Sequence, residues 1–187
     1  MSRTPDEARR DELLERAVDY VCRKGLSELS LRPLAKAVGS SPRGLLYHFG
    51  SKENLVVEIV RRGRTRQRAM VANLKLADLA PRAVAAALWC EWSRPQWEPL
   101  TRLSLEVYAL ALRDRERFPG FLDGYVNDWL VALEGCTTRP GFPRERSRAF
   151  ATVLVAGFRG FLLDLLASHD RVRIDRAVDL WLDLLYE

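Results

Sequence analysis

The chain is poor in the residues that most often carry chemistry. Of 187 residues only two are histidine, His48 and His169, and three are cysteine, Cys22, Cys90 and Cys136. Neither histidine has an Asp, Glu, Cys or His neighbour at metal-ligand spacing, so no metal site is expected. Widely spaced cysteines in odd number fit neither a disulfide framework nor a zinc pattern, and read as small buried or half-buried thiols. No glycine-rich phosphate loop is present. His48 has no nucleophile and orienting group around it in sequence, so neither an enzyme nor a cofactor is expected. Long hydrophobic runs are missing as well: no stretch approaches the ~18 residues of a membrane span. The start, Met-Ser-Arg-Thr-Pro-Asp-Glu, has no apolar signal core. A cytoplasmic protein with no membrane partner is therefore expected. Strand-like alternation is absent over any length, which leaves an all-α protein.

What the chain does contain is helix-period patterning and an uneven charge. Leu13, Leu14, Ala17, Val18 and Val21 make one stripe of a helix over about 5–24, which Gly25 ends. Ser30 precedes a short helix that stops at Val38 before Gly39. Ser41 and Pro42 open a third helix that runs to Phe49, and Gly50 breaks it. Ser51 caps a fourth helix, expected to reach about Leu76. Prolines and glycines then punctuate helices over about 81–93, 95–113, 119–134, 143–168 and 172–186. About nine helices result, divided between a DNA-binding-sized head over 1–50 and a larger helical domain over 51–187. Residues 1–68 carry 15 Lys+Arg against 9 Asp+Glu, a net +6, whereas the whole chain is +5. The excess positive charge thus lies in the N-terminal third, the electrostatic footprint of a nucleic-acid binder.

The third helix has two faces at 100° per residue. Leu45 and Phe49 share one, with Leu46 beside them; Arg43 and Tyr47 point the opposite way, with Gly44 next to them and His48 at the border. An outward Arg one turn from an outward Tyr, with a glycine allowing close approach, suits a groove of bases and phosphates. Lys52 sits in the first turn of the fourth helix, where the dipole disfavours a cation unless a phosphate joins it. Ser30 can cap the second helix or offer its hydroxyl to a phosphate, with Arg32 flanking.

The pattern Gly25, Ser30-Leu31-Arg32, Leu34-Ala35, Gly39, Ser41, Leu45, Tyr47-His48-Phe49, Ser51-Lys52-Glu53 and Leu55 resembles the DNA-binding domain of the TetR/AcrR family of transcriptional regulators. It covers about residues 9–60. Leu46 stands where tyrosine is common, Arg43 where a small residue is common, and Pro33 and Pro42 are less usual. The resemblance implies base contacts from the third helix and phosphate contacts from Ser30, Tyr47, His48 and Lys52. The expected DNA-facing set is therefore Ser30, Arg32, Ser41, Pro42, Arg43, Gly44, Tyr47, His48 and Lys52, on duplex DNA of near-palindromic sequence.

The C-terminal part is aromatic-rich. In the family this region holds a small-molecule effector, so Trp89, Trp92, Trp97, Arg102, Tyr108, Tyr125, Trp129 and Phe158 are the expected lining, with core packing as the plainer account of the same rings. Phe150, Val153, Leu154, Gly157 and Phe161 on one helix, with Val178, Trp181 and Leu185 on the next, form apolar stripes expected to meet a second copy as a four-helix bundle. The expected function is a homodimeric, sequence-specific DNA-binding regulator, a repressor released by a small apolar ligand. A dimer whose C-terminal domain takes no ligand, and a helical enzyme or carrier, are the alternatives.

Overall fold

The computed structural model describes residues 5–24, 30–72, 79–134 and 143–187. Among them are nine α-helices, one 3-10 turn at Pro95–Trp97 and no strand. The helices are α1 (Pro5–Lys24), α2 (Leu31–Val38), α3 (Pro42–Phe49), α4 (Lys52–Ala72), α5 (Pro81–Trp92), α6 (Glu98–Arg113), α7 (Phe121–Glu134), α8 (Arg144–Ser168) and α9 (Arg171–Tyr186). Residues 73–76 of the expected fourth helix, Gly25 and Cys136 lie outside the described residues.

The chain divides into two compact units, Met1–Ala69 with Pro95–Leu122, and Met70–Arg94 with Asp123–Glu187. Packing thus groups most of α4 and all of α6 with the N-terminal helices, rather than dividing the chain after residue 50. In the first unit the predicted stripe of α1, Leu13, Leu14, Ala17, Val18 and Val21, is fully buried with Leu34, Val38, Leu45, Phe49, Leu55 and Ile59. Apolar burial of this kind, at ~25 cal/mol per Å², holds helices too short to be stable alone. Gly63 of α4 brings α6 close: a Cβ there would stand 2.6 Å from Leu100.

The back of this unit is pinned by charge. Arg62 pairs with Asp11 and Glu15, and Arg66 with Glu15 and Asp19, so α4 is strapped along α1. Burial alone would raise the Glu15 pKa; the hydrogen bonds from Arg66 and Arg62 outweigh it and hold the carboxyl below the usual glutamate range.

The second unit is built on aromatic edges. Trp92 meets Trp129 at 4.2 Å between ring centres and Phe158 at 5.4 Å; Phe158 also meets Trp89 and Trp181, and Phe161 meets both of those. Edge-to-face rings at such separations add to area burial. The indole N–H of Trp89 donates to Asp175, which Arg171 also contacts, fixing the start of α9 to α5. Cys90 is exposed on α5, contrary to the expected buried or half-buried thiol, whereas burial raises the Cys22 thiol.

One further expectation needs correction. By length and composition α8 is apolar enough to cross a bilayer, although only 22% of its most apolar stretch is buried in this chain. Arg159 and Asp164 interrupt the run, so a search for an uncharged stretch passes over it.

Candidate nucleic-acid interface

The turn between α2 and α3 is set by local chemistry. Gly39 takes the left-handed conformation (φ 73°), which glycine adopts at no steric cost, and Ser40 N–H returns to Ala35 O at 2.9 Å. The Ser41 hydroxyl then accepts from Gly44 N–H at 3.0 Å and Pro42 fills the first helical position. At the far end Gly50 N–H closes on Leu46 O, Asn54 Nδ2 donates to Phe49 O at 2.9 Å, and Ser51 caps α4 through Asn54 N–H. Helix α3 is thus tied at both ends.

Three α1 arginines complete the clamp. Arg9 donates to Gly39 O at 3.2 Å and Arg16 to Val38 O at 3.1 Å, at the end of α2. Arg10 donates to His48 O at 3.3 Å, at the end of α3, and stacks over Phe49. Guanidinium groups at helix C-termini satisfy free carbonyls and oppose the negative end of the dipole.

Leu45 and Phe49 face inward and are buried, while Arg43 and Tyr47 face outward, Tyr47 at 76% exposure. No ion pair among the described residues engages Arg32, Lys36 or Arg43. By contrast Asp11, Glu15 and Asp19 of α1 and Glu58 of α4 are taken by arginines along the α1–α4 seam. Glu53 gives its carboxylate to Arg117 at 2.7 Å, and that hydrogen bond, against some burial, keeps it ionised below the usual range. Half-buried Lys52 therefore stands beside an acid whose charge is already matched. The net result is unmatched positive charge on the α2–α3 face.

Several expected contacts are placed differently. A Cβ on Gly44 would lie 2.7 Å from the Ser40 hydroxyl, so its smallness serves the turn, as does the Ser41 cap. His48 is turned toward α1, its Nδ1 3.4 Å from Asp6 Oδ1, within ion-pair reach but outside hydrogen-bond geometry, and only 13% of its side chain is exposed. Ser30 makes no side-chain cap on α2. Leu46, placed beside the packing face from sequence, is exposed at 38%.

The expected effector residues are divided between the two units. Trp97, Arg102 and Tyr108 belong to the first unit, and Arg102 stands in solvent paired with Glu98 rather than inside a core. Trp89, Trp92, Trp129 and Phe158 are brought together, and Tyr125 lies under the Arg159 guanidinium at 4.5 Å. Of the expected dimer stripe, Leu154 and Val178 are buried in the protomer's own core and Gly157 is covered by Trp181, because the inner face of a helix is as apolar as the outer. Phe161 and Trp181 are half-buried in the aromatic cluster, Phe150 packs edge-on to Tyr186, and Leu185 is half-buried. The outer faces carry Val153 and Leu163 on α8 and Leu180 and Leu184 on α9, exposed at 44–65%. Leu180 and Leu184, four residues apart on α9, share one outer face that the stronger inner stripe hides in the sequence.

Residues 13–59 match the bacterial regulatory proteins of the tetR family. A repressor of Corynebacterium diphtheriae, the HTH-type transcriptional repressor AcnR, is 32% identical over 188 residues, spanning 96% of this chain and 93% of that protein. The chain belongs to the TetR family. It is a DNA-binding transcriptional regulator, and the matched residues include α2 and α3. The fold agrees: a Legionella pneumophila TetR transcriptional regulator superposes with a TM-score of 0.74 at 17% identity, covering 100% of this chain and 99% of its own. The multidrug binding protein EbrR, solved with imidazole, gives 0.68 at 23% identity over 97% and 90%.

Proposed function

We propose that the protein is a homodimeric repressor that places one α3 in each of two major-groove half-sites of a near-palindromic operator and acts in the cytoplasm. The observation that carries the DNA contact is Arg43: outward on α3, unmatched by any described ion pair, and held by a helix tied at both ends. Arg32, Tyr47 and Lys52 surround it as phosphate partners, with His48 lending only its exposed edge. The outer faces of α8 and α9 support the dimer, since Val153, Leu163, Leu180 and Leu184 leave large apolar side chains exposed there. Asp179 and Asp183 on α9 favour a second copy in water over lipid as the cover. Repression is supported by the naming of the C. diphtheriae relative.

A small apolar effector acting on the second unit is supported by its aromatic content and by the imidazole complex of EbrR. A second reading, a dimer without effector, is favoured by the same rings: at 4.2–6.0 Å they are engaged with one another. Selection from a random duplex pool, followed by sedimentation, tests the first reading. An enriched near-palindrome bound by two chains is expected, and a monomer with full affinity refutes it. Screening compounds for a tryptophan-fluorescence change and DNA release decides between the two. An effector must favour the non-operator state, and a ~100-fold preference corresponds to about 2.7 kcal/mol. Trp129→Ala should weaken that response while leaving DNA affinity in its absence unchanged.

A further inference from the structure

Among the described residues before Met70, only two large hydrophobic side chains are exposed, Leu46 at 38% and Tyr47 at 76%. Both stand on the outer half of α3, beside Arg43. An isolated exposed leucine is ordinary. Here, though, the exposed large apolar surface of the described head is confined to the helix that enters the groove and is bordered by unmatched cations. Tyr47 has a hydroxyl to give a phosphate. Leu46 has nothing to give a phosphate or a base-edge donor. In the major groove the apolar group on a base edge is the C5 methyl of thymine.

We propose that Leu46 is a specificity-determining residue that packs on a thymine methyl, a deepening that rests on the reading of α3 as the operator-contacting helix. Leu46 lies one turn beyond Pro42 and three residues from Arg43, about 4.5 Å along the helix axis. Base pairs are stacked about 3.4 Å apart. The thymine therefore lies one or two base-pair steps from the pair that Arg43 reads, toward the C-terminal end of α3. Exposed Pro42 widens the apolar side of the contact, so the head reads a mixed step: a hydrogen-bonding pair under Arg43 and a methyl under Leu46.

The test uses the full chain and the duplex enriched from a random pool. Each thymine is replaced singly by deoxyuridine, which removes the methyl and leaves pairing unchanged. One replacement per half-site should weaken wild-type binding roughly four-fold, the effect of about 0.8 kcal/mol for a buried carbon. Leu46→Ala should bind thymine and deoxyuridine duplexes within about two-fold of each other, a ratio taken on one variant and so independent of any stability lost with the partly buried side chain. Wild-type indifference to every deoxyuridine overturns the assignment. So does Leu46→Ala retaining the full methyl effect, and Tyr47→Phe and Tyr47→Ala would then show whether the neighbouring ring makes the contact. A pool yielding no enriched duplex overturns the operator-binding reading and the Leu46 assignment with it; an enriched duplex without a methyl effect overturns the assignment alone.

Discussion

Gly157→Ala separates packing within a protomer from packing between two. A Cβ on Gly157 would stand 2.3 Å from Cη2 and Cζ2 of Trp181, closer than any real contact, and the obstacle is a rigid indole rather than a flexible chain end. To admit a methyl group, Trp181 must withdraw from Phe158 at 5.5 Å and Phe161 at 5.4 Å. Overpacking of that kind costs about 1–3 kcal/mol. Replacing a helical glycine by alanine returns about 1 kcal/mol. The net loss should be about 0–2 kcal/mol, or a fall in Tm of up to about 8 °C for a chain of this size. Circular-dichroism melts measure it, and a cycle with Trp181→Ala isolates the cause: in that background Gly157→Ala should become stabilising. Gly160, one turn along α8, has nothing within 4 Å of its virtual Cβ. Gly160→Ala should therefore stabilise the protomer, and any destabilisation must come from a second chain and depend on concentration. If Gly157→Ala raises Tm equally with and without Trp181, the steric account of this glycine is wrong.

Three other outcomes are expected. Arg43→Ala should lose about 1–3 kcal/mol of operator binding and relax preference at one position, with Tm unchanged; equal weakening on random duplexes would make it a phosphate contact. Lys52→Gln should weaken binding on every sequence alike and reduce the slope of log affinity against log salt by about one for each phosphate no longer neutralised, whereas an unaltered slope excludes a phosphate at the start of α4. The lowered pKa of Glu15 means that its ion pairs with Arg62 and Arg66 contribute above the ordinary glutamate range and disappear as pH falls through and below it. Glu15→Gln should flatten the fall in Tm between about pH 5 and pH 3, and an equally steep fall in the variant would show that other carboxylates govern acid unfolding.

The helices were legible in the sequence because their punctuation is covalent and local. Gly39, Ser41-Pro42, Gly50-Ser51 and Pro81 each act within one turn, and the structure places helix ends beside them. The outward direction of Arg43 and Tyr47 was legible for the same reason, since eight residues with two buried positions fix a face. What was not legible depends on partners far along the chain. Arg9, Arg10 and Arg16 look like any basic stripe on an exposed helix face. They become clamps only once α1 lies across the carbonyl ends of α2 and α3. Leu46 was set beside the packing face from its position on the helical wheel, but the width of that face is decided by how much of α3 the short α2 can cover. Gly157 and Gly160, alike in sequence, differ because Trp181 reaches one and not the other. The same limit governs charge. The N-terminal third is basic by count, but Asp11, Glu15, Asp19 and Glu58 are drawn to the α1–α4 seam by Arg10, Arg62 and Arg66. Cations without acidic partners therefore collect on α2 and α3, and the tertiary pairing, more than the composition, sets the positive field of that face.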